Sequence, residues 1–239
     1  MEKISLERYK GIIWDLDGTI YDITEAIKKA VDDVIEKYNL NLKRDEVMEE
    51  VAHLIEEIQN YPVPKILLNS YDLLKVNFLE NLSFFKKIRI AIFLFNQFNK
   101  YKEAESTIFN GIDKLLEFLF NKKVKMAILT NNKSQYAEEV LEKFSLSKFF
   151  NTIVGFNEVS EVKPNPEGIL IILNKWKVKA SDVIFIGDMT TDVDAGKAAK
   201  VKMICVASGL AQKASLSEHQ PDILVDNTEE LIKLFHIEK

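Results

Sequence analysis

The stretch "GIIWDLDGTIYD", residues 11–22, decides how the chain is read. Gly11, Ile12, Ile13 and Trp14 run straight into Asp15 and Asp17, with Leu16 between the two acids and Gly18-Thr19 behind them. A short apolar run bounded by turn residues reads as a buried strand. Ending such a strand in carboxylates is costly unless they have partners. Residues two apart on an extended segment point the same way, so Asp15 and Asp17 address one small volume. Gly18 then lets the backbone turn and approach a ligand with no side chain in the way.

Further runs of this kind follow: "VKMAILTNN", "NTIVGF", "DVIFIGD", "VKMICVASG" and "DILVDN". Helical spacings separate most of them, as at Ile112, Leu115, Leu116 and Leu119, or Tyr136, Val140, Leu141 and Phe144. Near-continuous apolar strands alternating with helices imply a parallel sheet covered on both faces. The fold class expected is therefore α/β, a doubly wound (Rossmann-like) core.

Glycine divides the chain. It stands at 11, 18, 111, 155, 168, 187, 196 and 209, with none between 19 and 110. Over that span the spacing is helical, at Ile27, Ala30, Val31, Val34, Ile35 and Tyr38, and again at Val47, Val51, Leu54, Ile55 and Ile58. "YPVP" (61–64) breaks the chain, and apolar-rich helical stretches continue to about Phe98. A bundle of three to five helices, residues 23–106, is thus expected as an insertion into a core built from residues 1–22 and 107–239. The Phe and Ile residues of 84–98 read as its interior, or else as a dimer face or an apolar substrate wall.

Composition narrows the class. The 239 residues are 47% hydrophobic and 29% charged, the balance of a folded soluble protein. A net charge of −5 disfavours a general nucleic-acid or anionic-membrane surface. The N-terminal "MEKISLERYK" has no apolar core of signal-peptide length, and "IRIAIFLF" (88–95) is too short to span a bilayer. Cytoplasmic localisation is expected, with no nucleic-acid or membrane partner, and either a monomer or a homodimer fits. Cys205 is the single cysteine and lies in an apolar run, so it reads as a buried structural thiol. His53, His219 and His236 lack metal-ligand spacing, and Trp14 and Trp176 read as core aromatics.

Ligands of a doubly wound sheet bind beyond the carboxyl ends of its strands. The polar residues there are Asp15 and Asp17, then Thr130 with Asn131, then Asp188, while Lys163 in "EVKPNPEG" follows another strand by a short loop. Asp188 and Asp192 of "GDMTTD" share a face if a helix starts between them. Hard oxygen ligands without nearby His or Cys suit Mg²⁺, which binds through a few carboxylates plus substrate phosphate. Ionised Asp15 and Asp188 with a phosphate dianion carry four negative charges, of which Mg²⁺ and Lys163 offset three. Such crowding favours a proton on a further carboxyl, which makes Asp17 a candidate proton donor. No P-loop pattern is present.

Taken together, "DLDGT", "LTNN", "VKPNPE" and "GDMTTD", in this order, resemble the four signature segments of the haloacid dehalogenase-like (HAD) hydrolase superfamily, and most of all its phosphoglycolate phosphatase-like members. The likeness extends over essentially the whole chain, and the helical insertion sits where that superfamily carries a helical (C1-type) cap. It implies a phosphatase acting on a small phosphorylated metabolite. Asp15 would be the nucleophile and form an aspartyl-phosphate. Asp17 would protonate the leaving oxygen and later activate water. Thr130 and Lys163 would hold the phosphoryl oxygens, with Asn131 assisting. Asp15, the backbone carbonyl of Asp17, and Asp188 would ligate Mg²⁺, with Asp192 supporting through water. The superfamily's dehalogenases lack the second aspartate, and its sugar-phosphate mutases tend to carry Glu-Asp where this chain has Gly187-Asp188. Both points favour phosphate-ester hydrolysis. A phosphotransferase or mutase, a pyrophosphatase and a non-catalytic phospho-aspartate regulator are the alternatives.

Each segment also has a plainer reading. Strand-terminal aspartates often serve turns, Thr130-Asn131 or Asp192 and Asp194 can cap helices, and Lys163 can be a surface lysine. Arg44, Lys65 and Arg89 are candidates for a second anionic substrate group, or else solvated charges.

Overall fold

A computed structural model describes residues 4–45, 47, 48, 50, 51, 82–208 and 210–235. Val47 and Val51 of the second helical spacing are buried. Its remaining positions, Leu54, Ile55 and Ile58, lie outside the described residues, as do "YPVP", His53, Lys65, Gly209 and His236. The chain forms two compact units, Met1–Asp22 with Ile108–Lys239, and Ile23–Thr107.

The first unit is built on β1 (Gly11–Trp14). β2 (Tyr21–Asp22) and β3 (Thr107–Ile108) pair as a small separate sheet. The main sheet adds β4 (Lys125–Leu129), β5 (Thr152–Val154), β6 (Val183–Gly187), β7 (Lys202–Val206) and β8 (Ile223–Val225). Its six strands run in the order β5-β4-β1-β6-β7-β8, every pair parallel. This is the doubly wound α/β core expected, and each of the six apolar runs supplies one strand. Ile12, Ile13 and Trp14 are fully buried, at roughly 1.5–3 kcal/mol of hydrophobic stabilisation per large side chain, so β1 is anchored at the centre of the sheet.

Register does the rest. Trp14 stands level with Ile128 of β4 and Ile186 of β6. Asp15, Thr130 and Asp188 therefore leave their strands at one edge, where the chain direction from β1 to its two neighbours diverges. Crossovers in this unit use α3 (Ile112–Asn121), α4 (Ser134–Lys143), α5 (Glu167–Trp176), α6 (Thr190–Ala199) and α7 (Lys213–Glu218), and α8 (Thr228–Leu234) follows the last strand, all numbered after two helices of the other unit. Ile112, Leu115, Leu116 and Leu119 all face inward from α3, as their spacing predicts.

In the second unit, α1 (Thr24–Tyr38) and α2 (Phe84–Glu105) pack against one another. α1 buries Ala26, Ile27, Ala30, Val31 and Val34, and ends at Asn39 in the left-handed conformation (φ 49°), which asparagine tolerates better than most residues. α2 answers the question about 84–98 by halves. Ile88, Ile90, Ala91, Leu94 and Phe98 are interior, whereas Phe85 is 76% exposed. Arg44 is half-buried and ion-paired with Asp32 at 3.0 Å, and Arg89 is exposed.

Candidate active site

Lys163 arrives at the end of β1 from the loop after β5. Its Nζ lies 2.5 Å from Asp15 Oδ1 and 2.6 Å from Asp192 Oδ1, and all three side chains are buried. The plainer reading of Lys163 as a surface lysine therefore fails. Asn131 fixes the loop that carries it: Asn131 Oδ1 accepts from the Lys163 backbone N–H at 3.1 Å, and Asn131 Nδ2 donates to the Lys163 carbonyl at 3.4 Å. Its amide is engaged with backbone on both sides, so it acts on the lysine's position.

Asp192 does two jobs at once. While Oδ1 meets Lys163, Oδ2 accepts the backbone N–H groups of Asp188 at 3.1 Å and Met189 at 2.9 Å, satisfying donors at the start of α6. Capping and ionic roles coexist in one side chain. Gly187 makes room for it, since a Cβ there would lie 2.4 Å from the Asp192 carboxylate. Asp188 is fully buried; it accepts from Thr19 Oγ1 at 3.0 Å and from Ser208 Oγ at 3.3 Å. Gly18 has φ +88°, and a Cβ on it would sit 2.1 Å from Asp188 Oδ2 and 2.7 Å from Leu210 Cδ1. Both reasons the turn needs glycine, the backbone angle and the close approach, hold at this position.

Asp15, Asp188 and Asp192 each offer a carboxylate oxygen, and the three lie within 4.8 Å of one another. By formal charge this buried group sets three carboxylates against one ammonium. Removing unbalanced charge from water costs several kcal/mol per ion, and a small divalent cation among oxygen donors relieves it. The donor set thus fits Mg²⁺.

Asp17 turns toward different partners. Its Oδ1 accepts from the Tyr136 hydroxyl at 2.6 Å and its Oδ2 from Asn132 Nδ2 at 2.7 Å. The Asn132 backbone N–H donates in turn to Thr130 Oγ1 at 3.0 Å, and Thr130 is buried. Burial of its hydroxyl, followed by the charge and hydrogen bond of Asp17, pushes the Tyr136 phenol well above the ordinary tyrosine range. Neither Asn132 nor Tyr136 stands among the residues singled out from the sequence. Asn132 was within reach, as the second asparagine of "LTNN" and two positions beyond Thr130. Tyr136 falls in the apolar spacing of α4, where Val140 and Leu141 are indeed core residues, and that pattern conceals its hydroxyl.

The remaining candidates behave as packing or surface groups. Cys205 is fully buried, and burial pushes its thiol up, with the carboxylates of Asp192 and Asp188 adding to the shift, a setting that suits a structural thiol. His219 pairs with Asp194 at the surface, and Trp14 and Trp176 are buried. A groove of about 790 Å³ beside Lys10 and Lys125 lies at the amino ends of the strands, away from this cluster. No helix among the described residues is long and apolar enough to cross a membrane.

The family described as haloacid dehalogenase-like hydrolase matches residues 12–206. A phosphoglycolate phosphatase from Pseudomonas fluorescens is 26% identical over 221 residues, covering 92% of this chain and 78% of the relative. The pyrophosphatase PpaX from Oceanobacillus iheyensis is 25% identical, over 94% of this chain and 96% of its own. Among solved structures, a haloacid dehalogenase-like family hydrolase from Streptococcus pneumoniae has the same fold, with a TM-score of 0.66, 20% identity and coverage of 95% and 98%.

Proposed function

The chain belongs to the haloacid dehalogenase-like hydrolase family, and from that premise we propose that it is a Mg²⁺-dependent phosphatase of small phosphorylated metabolites, working in the cytoplasm through an aspartyl-phosphate on Asp15. The observation that carries the reading is the buried Asp15–Lys163–Asp192 chain beside Asp188, with Asp17 held separately by neutral donors.

In the first step an Asp15 carboxylate oxygen attacks phosphorus and the P–O bond to the leaving group breaks. Asp17 gives that oxygen its proton, so the alcohol departs neutral. In the second step water attacks the phosphorus of the aspartyl-phosphate, passes a proton to the Asp17 carboxylate, and the P–O bond to Asp15 breaks. Phosphate leaves, and Asp15 is again ionised and Asp17 protonated. Dividing one hard displacement into two easier ones is the gain of covalent catalysis. Thr130 and Lys163 bind the phosphoryl oxygens, Asn131 fixes Lys163, and Asp192 orients it. Asp15, the Asp17 backbone carbonyl and Asp188 would hold Mg²⁺, with Asp192 behind them; when bound, the ion supplies positive charge to the transferring phosphoryl group.

The relatives support two substrate readings. Phosphoglycolate-like alkyl phosphates come first, because a proton donor placed as Asp17 is matters most for an alkoxide leaving group. Pyrophosphate is the second, favoured by the relative from Oceanobacillus iheyensis, over nearly its full length. One experiment tests both: phosphate release from a panel of phosphate monoesters and pyrophosphate, with Mg²⁺ and then with chelator, for the wild type and Asp15→Asn. Chelator and Asp15→Asn are each expected to abolish turnover, by more than about a thousand-fold for the variant. Full turnover by Asp15→Asn would overturn the proposal.

A further inference from the structure

Asp17 has to face a leaving-group oxygen in one step and a water in the next, yet a free aspartate side chain samples several rotamers. Here both of its oxygens are engaged. Tyr136 donates to Oδ1 at 2.6 Å and Asn132 to Oδ2 at 2.7 Å. The two donors are four residues apart, on the approach to and in the first turn of α4. Ala137, Val140 and Leu141 hold that helix in the core. On the other side, Asn132 is tied through its backbone N–H to Thr130 Oγ1. A rigid path therefore runs from the hydroxyl at the end of β4, through Asn132, to the Asp17 carboxylate and on to Tyr136.

We infer that Tyr136 and Asn132 are positioning residues that clamp the Asp17 carboxyl in the orientation from which it delivers and accepts its proton. Each carboxyl oxygen has two lone pairs, so two accepted hydrogen bonds leave a site on each for the proton being moved. The donors carry no charge, and they hold the carboxyl without fixing a counter-ion beside it as Lys163 does beside Asp15. Orientation of a reacting group is worth several orders of magnitude in effective molarity, and a wandering general acid forfeits part of that.

This rests on the reading of Asp17 as the general acid, and the test separates the two. kcat/KM is measured for the best alkyl phosphate of the panel and for 2,4-dinitrophenyl phosphate, whose leaving phenolate needs no proton. kcat/KM reports events up to the first P–O cleavage, so water activation in the second step does not blur it. Asp17→Asn sets the reference, a large loss on the alkyl phosphate and a small one on the aryl phosphate. Tyr136→Phe, which keeps the ring, and Asn132→Ala are expected to show the same split, with roughly ten-fold or greater loss on the alkyl phosphate and less than about three-fold on the aryl. Equal losses on both substrates, or none on either, in variants that melt like the wild type would overturn the clamp while leaving Asp17 its role. No split in Asp17→Asn itself would instead remove the reading beneath it.

Discussion

The two aspartates of "DLD" stand two positions apart and live in opposite surroundings. Asp15 is buried and meets a fixed cation that is itself shared with Asp192. Asp17 is half-buried and is held by two neutral donors. Strand geometry sends both side chains to the same edge, and neighbours arriving from elsewhere in the sheet separate their chemistry. A carboxylate beside an ammonium is favoured in its ionised form, as the nucleophile proposed here must be. A carboxyl held by a phenol and an amide has neutral partners on both oxygens, and each oxygen keeps a second lone pair. One spacing thus yields two environments, because the segment after β4 brings neutral donors and the loop after β5 brings charge.

Removing the charge on one side alone breaks this contrast most severely. Lys163→Met would leave Asp15 and Asp192 facing one another without their shared cation. Taking one partner from a buried ion pair costs about 3–5 kcal/mol, so a large drop in urea-unfolding stability is expected in metal-free buffer. Phosphate release should fall by at least about a thousand-fold, since a charge on the transferring phosphoryl group is lost as well. The informative part is recovery: added Mg²⁺ should raise the stability of Lys163→Met more than that of the wild type, because binding to the folded state alone stabilises by mass action. Equal gains would mean that the carboxylates are not held together at the expense of charge.

Gly18→Ala comes next in size. With φ at +88° the new methyl strains the backbone by roughly 1–2 kcal/mol. It also points at an Asp188 oxygen 2.1 Å away, so Asp188 or the turn has to move. A stability loss of about 2 kcal/mol or more is expected, with a Mg²⁺ concentration for half-maximal activity raised at least about ten-fold. Asn132 and Tyr136 hold the Asp17 carboxyl from a separate segment, so the difference in kcat/KM between alkyl and aryl phosphates should stay that of the wild type.

The ionic half of this site is legible in the sequence and the neutral half is not, for a physical reason. Asp15 and Asp188 stand out because buried strands seldom end in acid, and Asp192 because it follows Asp188 by four residues, the spacing of one helix face. Lys163 stands out because it follows a strand in a polar loop. Such residues break the local hydrophobic pattern, and broken patterns are what sequence reading detects. Tyr136 breaks nothing: its ring fits the apolar stripe of α4, and only the path of the turn after β1 brings its hydroxyl to Asp17. Asn131 adds a role that the sequence does not show. Both ends of its amide bond the backbone of Lys163, a pairing between segments 32 residues apart that no local rule foresees. The six strands were readable throughout because each is a nearly unbroken apolar run in a parallel sheet, whereas the helices of the inserted unit depend on periodicity alone.

The smallest expected effect sharpens the contrast from within one helix. Asp192 and Asp194 both lie in α6, two positions apart, and two steps of a helix turn a side chain by about 200°. Asp192 consequently faces Lys163 with no exposure, while Asp194 faces outward, 45% exposed, with His219 Nδ1 at 2.8 Å. Exposed pairs of this kind contribute little, because water already solvates both partners. Asp194→Ala should therefore change unfolding stability by no more than about 0.5 kcal/mol and kcat/KM by less than roughly two-fold. Asp192→Ala would strip Lys163 of one partner and α6 of two hydrogen bonds at its start. A loss of activity in Asp194→Ala comparable to that of Asp192→Ala would mean that the whole acidic segment acts through its summed charge. The proposed division of labour, in which orientation on the helix gives one aspartate a catalytic setting and its neighbour a solvent-exposed one, would then be wrong.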